Sequence, residues 1–131
     1  MSMSRETIGN FLEDIGRALS SGNAKAAAHA WEIPALVLSQ EGALAITDMD
    51  EVEAFFAKAI DWYRARGEVS TRPEIEEIED LDARISSVDV RWPGYDAAGA
   101  ERSSERSRYL IRLDDLGRPR IRVAIGLPTG A

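Results

Sequence analysis

Three long segments in the second half of the chain alternate between apolar and polar residues. They span residues 84–92, 102–113 and 118–127. Side chains along a β-strand point alternately to the two faces of a sheet, so this period of two predicts half-buried strands. Turn residues separate the segments at 93–99 and at 114–117. With a preceding strand predicted at 72–79, the second half is expected to form an antiparallel meander.

The first half of the chain has a helical period instead. Apolar residues recur along one helix face at Ile8, Phe11, Leu12, Ile15 and Leu19. Ser4 is expected to cap the start of this helix, and residues 20–22 to end it. Asn23 is expected to cap a short, alanine-rich helix that runs through Trp31. Pro34 ends that helix, because the residue before a proline avoids the helical region.

A short hairpin and a third helix are predicted between these two parts. Residues 35–39 and 43–46 are apolar and flank a turn that ends in glycine. The third helix is expected to begin with Thr47 as its cap and to end at Gly67. Three helices followed by a run of strands predict an α+β fold, in a single domain over residues 1–131.

Composition excludes several kinds of site. The 131 residues contain no cysteine, which excludes disulfides, thiolate metal sites and a cysteine nucleophile. With one histidine, no phosphate-binding glycine loop and no metal-ligand spacing, we expect no cofactor and no metal. The net charge of −7 disfavours nucleic acids and anionic membranes as partners. No apolar run has the length of a signal peptide or a membrane span, so the cytoplasm is the expected location.

The alternation also assigns side chains to the two faces of the sheet. The inward rows, expected to pack on the helices, are Val88, Val90 and Trp92, then Tyr109, Ile111 and Leu113, then Ile121, Val123 and Ile125. The outward face carries most of the nine arginines found in residues 83–131. Two interpretations are open: a groove for anions or nucleic acid, or a solvated or dimer-facing surface. In the second, the arginines pair with acids of a neighbouring strand, namely Glu74, Glu76, Glu77 and Glu79.

Several segments resemble a known superfamily. They are the helix end Ala18–Asn23, Trp31 before a glycine-tipped hairpin, the helix start Thr47–Asp50, the strand Val88–Trp92 and the segment Tyr109–Gly117. In this order they resemble the nuclear transport factor two-like superfamily, which includes SnoaL-like polyketide cyclases, ketosteroid isomerases, dehydratases, epoxide hydrolases and binding or adaptor domains. The resemblance covers nearly the whole chain. It implies a cystatin-like fold, in which a curved antiparallel sheet and three N-terminal helices form a cone with an apolar pocket, commonly dimerising through the sheet's outer face.

The chemistry of ketosteroid isomerases is not matched residue by residue. The resemblance places Ile15 where that family has a tyrosine, and Ser39 where it has the general-base aspartate. It places Tyr109 where the family has a protonated acid. An unassisted serine hydroxyl cannot act as a general base near neutral pH. Steroid isomerisation by that mechanism is therefore not expected.

Three residues are candidate catalytic groups. Tyr109 faces inward and can polarise a ligand carbonyl; the alternative is a core aromatic residue hydrogen-bonded to the backbone. Glu105, in the same row, can act as a carboxylate at the pocket mouth; the alternative is a solvated residue beyond the core. His29 has an ordinary pKa near neutrality and can transfer protons if it points into the cone; the alternative is a surface histidine.

Four more residues are candidate ligand contacts. Trp31 and Trp92 are expected to wall the pocket, unless they are ordinary core residues. Ser107 and Ile111 share the inward row with Tyr109. The sequence therefore predicts a pocket protein for a small, mostly apolar molecule, with lyase, isomerase or cyclase activity as one possibility. The alternative is a non-catalytic binding or adaptor domain that acts through its dimer and fills its pocket with its own side chains.

A homodimer is predicted through the strand surface of residues 84–126. The outward face is expected to combine Ile85, Leu110 and Ala124 with Asp89, Arg91 and further arginines. Such a face has too many apolar residues to be fully exposed to solvent and too many charged residues to be part of a hydrophobic core.

Overall fold

Helices and strands follow one another in the predicted order in the computed structural model, which describes residues 3–129. They are α1 (Arg5–Ser20), α2 (Ala24–Ala28), β1 (Trp31–Ser39), β2 (Gly42–Ile46), α3 (Met49–Ala65), β3 (Ser70–Thr71), β4 (Glu74–Asp82), β5 (Ile85–Tyr95), β6 (Glu101–Leu113) and β7 (Pro119–Leu127). The α+β class is thereby confirmed. The predicted domain of residues 1–131 includes four terminal residues outside the described range.

All seven strands belong to one curved, unclosed sheet with the order β2-β1-β7-β6-β5-β3, and β4 also pairs with β5. Every pair is antiparallel except β1 with β7, which is parallel. The parallel pair joins the N-terminal hairpin to the last strand of the meander. The hairpin and the meander therefore form one continuous surface rather than two separate sheets.

The core lies between the helices and one face of this sheet. Ile8 and Leu12 of α1 and Val52 of α3 are fully or almost fully buried. They belong to the same apolar cluster as buried residues of the strands, namely Val88, Val90, Ile111 and Ile121. The helical stripe predicted for α1 therefore packs as expected. Each such side chain contributes roughly 1.5–3 kcal/mol relative to an exposed one.

The second helix is shorter than predicted and the strand after it is longer. Helix α2 ends at Ala28, with His29 as its C-cap, and β1 begins at Trp31. Pro34 lies within this strand rather than at the end of a helix. It occupies the interval between Trp31 and Leu36 in which β1 is out of regular register with β7. Because proline has no N–H to donate, it is tolerated where a strand's hydrogen bonding is interrupted.

The face predicted for Val123 and Ile125 is wrong. Ile111 pairs with Ile121, but the preceding residue of β6, Leu110, pairs with Val123, so β7 has one extra residue at this point. Such a β-bulge reverses the alternation of side chains beyond it. Ala124 therefore faces the interior, where it packs against the core, and Val123 and Ile125 lie on the outer face.

Two smaller boundaries also differ from prediction. The strand expected at 72–79 is β4, which begins after Pro73 and runs on to Asp82, and the two-residue strand β3 precedes it. The cap of α3 is Asp48 rather than Thr47, since the Asp48 carboxylate accepts the N–H of Asp50 at 2.8 Å.

Candidate functional site

A cavity of about 290 Å³ lies between the helices and the inner face of the sheet. Helices α1 and α3, strands β1 and β5 to β7, and the segment after α3 all contribute to its wall. Its apolar lining includes Ile15, Leu19, Trp31, Val37, Phe56 and Trp92. Trp31 and Phe56 contact each other in a tilted arrangement, with ring centroids 6.4 Å apart. An apolar cavity with a few polar groups is the usual form of a small-molecule site.

One strand contributes a row of polar side chains to the cavity wall. Ser103, Glu105, Ser107 and Tyr109 occupy alternate positions of β6, and all four line the cavity. The alternation of a strand places them in one row, which spans about 20 Å at 3.3 Å per residue. Three of them are predicted site residues. Ser103 extends the same row by one position towards the start of the strand.

Tyr109 is hydrogen-bonded to another predicted site residue. The indole Nε1–H of Trp92 donates to the Tyr109 hydroxyl oxygen at 2.8 Å. Burial raises the pKa of the Tyr109 phenol, although hydrogen bonds with Ser107 and Trp92 act in the opposite direction. The phenol therefore stays protonated near neutral pH. Because the indole donates to its oxygen, Tyr109 keeps its own proton available for another acceptor.

Glu105 has a partner that sequence analysis did not identify. The Tyr63 hydroxyl of α3 donates a hydrogen bond to Glu105 Oε1, across the exposed end of the cavity. Burial raises the pKa of Tyr63 far above its ordinary value, and the hydrogen bond and negative charge of Glu105 act in the same direction. Tyr63 is therefore a neutral donor that holds this carboxylate. Its place on the apolar stripe of α3 made it look like an ordinary core residue.

A second carboxylate, from Glu68, lines the cavity and was also missed. Glu68 follows α3 and is only 4% exposed. Ser103 Oγ donates to its Oε1, and Arg66 Nε lies 3.9 Å from its Oε2. A lone acid next to a helix-ending glycine has no local pattern that distinguishes it from a solvated loop residue. Sequence offered no signal for its burial.

Two predicted site residues lie away from the cavity lining. His29 is exposed at the end of α2, beside a surface depression that it shares with Glu32, Asp114 and Arg120. Ile111 is completely buried in the core cluster. It follows Tyr109 by two positions along β6 and lies beyond the residues that line the cavity. The structure therefore separates His29 from Glu105 and Tyr109. The structure places His29 on the surface, which is the alternative interpretation given for this residue.

The three positions compared with ketosteroid isomerases all belong to the cavity wall. Ile15, Ser39 and Tyr109 each line it. The acids that the cavity does contain, Glu68 and Glu105, lie elsewhere in the chain. A proton-transfer role in this site would therefore depend on a different arrangement of residues.

The arginines of the outer face are paired with acids, as the second interpretation of that face predicted, although of the four acids it named only Glu74 and Glu76 form ion pairs within residues 3–129. Arg91 contacts Glu74 at 2.9 Å and also Glu101, and Arg106 contacts Glu76 at 2.8 Å. Both nitrogens of the Arg108 fork bind the Asp89 carboxylate, at 2.7 and 2.9 Å. Arginines that are paired in this way are not available to bind an anion. The ion pairs therefore argue against the interpretation of this face as an anion groove.

Neither a metal cluster nor a membrane-spanning helix is found in the described part of the chain. No three or more His, Asp or Glu side chains of residues 3–129 are placed to hold a metal ion. No helix in the same range is long and apolar enough to cross a membrane.

Three helices against a curved, unclosed sheet with an internal cavity define the nuclear transport factor two-like class with its cystatin-like fold. Residues 5–129 match the family described as NTF2-like protein (DUF6841), and the chain belongs to this family. The resemblance drawn from the sequence is thereby confirmed. No curated protein matches the sequence.

Solved structures with a similar fold have low sequence identity to this chain. A domain of unknown function with a cystatin-like fold from Nostoc punctiforme is 16% identical, with a TM-score of 0.77 over 98% of this chain and 81% of that one. An NTF-2 like protein of unknown function from Shewanella oneidensis is 19% identical, with a TM-score of 0.73 over 95% and 98%. A ketosteroid isomerase-like protein from Erwinia carotovora atroseptica is 12% identical, with a TM-score of 0.69 over 98% and 100%. At these identities the likeness concerns the fold alone.

Proposed function

We propose that this protein binds a small, mostly apolar molecule in the cavity between helices and sheet. The observation that carries the proposal is an apolar space of about 290 Å³ that a row of polar side chains of β6 lines along one wall. Ligand pockets commonly begin at about 300 Å³, so the size suits a small ligand. An unfilled space of this kind also counts against the alternative, in which the protein's own side chains pack the cone.

Tyr109 and Ser107 would hold an oxygen atom of a ligand that carries one. Trp92 donates to the Tyr109 oxygen, which leaves the phenol proton to donate to a carbonyl or hydroxyl oxygen of the ligand. Trp31 and Trp92 would contact its apolar body, since both line the same cavity.

A second candidate function is proton transfer of the lyase, isomerase or cyclase type. It is favoured by the carboxylate of Glu105 in the row that also contains Tyr109. Glu105 would accept a proton while the neutral Tyr109 phenol stabilises developing charge on the ligand. Tyr63 would position Glu105 through its hydrogen bond. His29 has no part in this scheme because it lies outside the cavity lining.

The test is a thermal-shift screen of small apolar alcohols, ketones and amines, followed by calorimetry on the hits with wild type and Tyr109→Phe. We expect the variant to fold normally and to bind a neutral acceptor about 0.5–1.5 kcal/mol more weakly. Tyr95→Phe, outside the cavity lining, is the matched control and should leave affinity unchanged. If Glu105→Gln abolishes turnover of a hit while it still binds, the site is catalytic. The binding proposal is wrong if no compound shifts the melting temperature.

We also propose that the protein is a homodimer through the outer face of β5, β6 and β7. The bulge in β7 changes the composition predicted for this face: Ala124 faces inward, whereas Val123 and Ile125 join Leu110 on the outside. An adaptor function would act through this surface.

A further inference from the structure

Glu68 is a buried acid with little to balance its charge. Its side chain is 3% exposed, and within residues 3–129 its ion-pair partner is Arg66, at 3.9 Å. That arginine is about half exposed and lies over the ring of Trp62, 4.4 Å from the ring centroid. A carboxylate removed from water is strongly destabilised unless hydrogen bonds or an opposite charge compensate it. Ser103 supplies one hydrogen bond, so Glu68 retains capacity for another donor.

The carboxylate of Glu68 is held in place by the sheet. Gly94 of β5 lies directly beneath it, and a Cβ at that position would overlap Glu68 Oε1. Gly94 pairs across the strands with Ser103, which donates to the same oxygen. Two adjacent strands therefore fix one carboxylate oxygen. The carboxylate therefore lies at the cavity wall, where Gly94 leaves room for it and Ser103 binds it.

The rest of the cavity also favours a positive group. Its wall carries the second carboxylate of Glu105 and the aromatic rings of Trp31, Phe56 and Trp92, whose faces attract cations. Arg64 is a basic residue of the lining, but its guanidinium lies against the turn at Gly22 between α1 and α2. An anionic ligand would meet two carboxylates, whereas a cationic ligand would meet partners for its charge.

We propose that the ligand of this cavity is an apolar amine, and that the Glu68 carboxylate binds its protonated nitrogen. The inference rests on the proposed function, because it concerns the ligand of that same cavity. Glu68 then determines specificity: it selects a positively charged head group, while the apolar and aromatic walls hold the body of the molecule.

The test uses three probes that each have a phenyl ring on a four-carbon chain: phenylbutylamine, phenylbutanol and phenylbutyrate. At pH 7 the amine is protonated and the carboxylic acid is ionised. We expect calorimetry to show that wild type binds the amine about ten to a hundred times more tightly than the alcohol, and phenylbutyrate least. Glu68→Gln should remove this preference while changing the affinity for the alcohol less than about threefold.

Two further variants make the result specific. Gly94→Ala keeps the charge of Glu68 but displaces its carboxylate, so it should also reduce the preference for the amine. This variant decides the matter if Glu68→Gln does not fold. Glu101→Gln removes a charge outside the cavity, where Glu101 pairs with Arg91, and should leave the preference intact.

The failures of the two proposals are distinguishable. If none of the three probes binds, the proposed function itself is wrong for such molecules and the inference falls with it. If the probes bind but wild type does not prefer the amine, the amine inference is wrong and the binding function stands. The inference is equally overturned if the preference survives both Glu68→Gln and Gly94→Ala, or if Glu105→Gln alone removes it.

Discussion

Trp92 and Tyr109 form a hydrogen-bonded aromatic pair, and this pair allows a stability test that needs no ligand. The indole N–H donates to the phenol oxygen at 2.8 Å inside the cavity wall. Trp92→Phe and Tyr109→Phe each remove one partner and keep an aromatic ring. In a double-mutant cycle measured by urea unfolding, we expect a coupling free energy of about 0.5–1.5 kcal/mol.

The control for this cycle pairs Trp62→Phe with Tyr109→Phe. Trp62 is 55% exposed, lies outside the cavity lining, and packs against Arg66 and Tyr63 rather than against Tyr109. Its effect should add to that of Tyr109→Phe within about 0.3–0.5 kcal/mol. If the effects of Trp92→Phe and Tyr109→Phe add to the same extent, the indole–phenol hydrogen bond makes no net contribution to stability.

Ile111 provides a second test at the residue scale, because its burial argues for a structural role. It is fully buried in the core cluster and lies outside the cavity lining. Ile111→Val should lower the free energy of unfolding by about 0.5–1.5 kcal/mol and leave ligand affinity unchanged. Unfolding curves and calorimetry with any hit from the screen measure the two effects. A loss of affinity with no loss of stability would instead restore Ile111 as a ligand contact.

Site residues whose direction follows from the alternation of a strand could be predicted from the sequence. Site residues that are brought to the cavity by contacts between distant parts of the chain could not. Glu105, Ser107 and Tyr109 line the cavity because β6 keeps its period of two over this stretch. Glu68 is different, since its burial depends on the absence of a side chain at Gly94 in a distant strand. No pattern around position 68 records that contact.

At the scale of elements, the hairpin between β6 and β7 is organised by one carboxylate. Asp114 is 6% exposed, and its Oδ1 accepts the backbone N–H groups of Leu116 and Arg118 at 2.9 Å each. Its Oδ2 accepts from the guanidinium groups of Arg118 and Arg120. The backbone N–H of Arg118 is the largest cause that lowers the pKa of Asp114 from 3.8 to about 2, and Arg120 and Leu116 add to it.

This pKa shift predicts the pH dependence of stability. Because the folded pKa lies below the unfolded one, the ionised group stabilises the fold fully above about pH 4, and this contribution is lost as pH falls towards 2. Asp114→Asn should therefore unfold at lower urea than wild type at pH 7, with a gap that narrows between pH 4 and 2. Asp115→Asn, at the exposed neighbouring position, should show no such gap. A gap for Asp114→Asn that stays constant down to pH 2 would contradict the prediction.

The elements themselves were largely predictable, and the exceptions have local physical causes. Amphipathic periods located α1 and α3, and alternation located β5 to β7. Pro34 was interpreted as a helix end because its position in a strand depends on a gap in hydrogen bonding with β7, which is a tertiary fact. The bulge near Arg122 reversed the faces of β7, because parity counted from sequence assumes uninterrupted pairing.

At the scale of the whole molecule, the sheet has two unlike faces. Its inner face contacts the helices and the cavity. Its outer face combines arginine–acid pairs with half-buried apolar residues, among which Leu110 and Val123 lie directly opposite each other on neighbouring strands. Exposed ion pairs contribute only about 0–1 kcal/mol each, so they supply register and specificity more than affinity. The apolar residues between them would have to provide most of the stability of an interface.

We predict on this basis that the outer face forms a homodimer that one added charge disrupts. A stable interface buries on the order of 1,200 Å² or more in total. Sedimentation equilibrium at micromolar concentration should give twice the monomer mass for wild type. Leu110→Arg would place a further positive charge among the arginines of this face and leave it desolvated, so the dimer should dissociate at least about tenfold more readily. Leu116→Arg adds the same charge at a position that is 76% exposed in the hairpin turn, and this control should remain dimeric. A wild-type protein that sediments only as a monomer would show that the outer face is simply a solvated surface with paired charges.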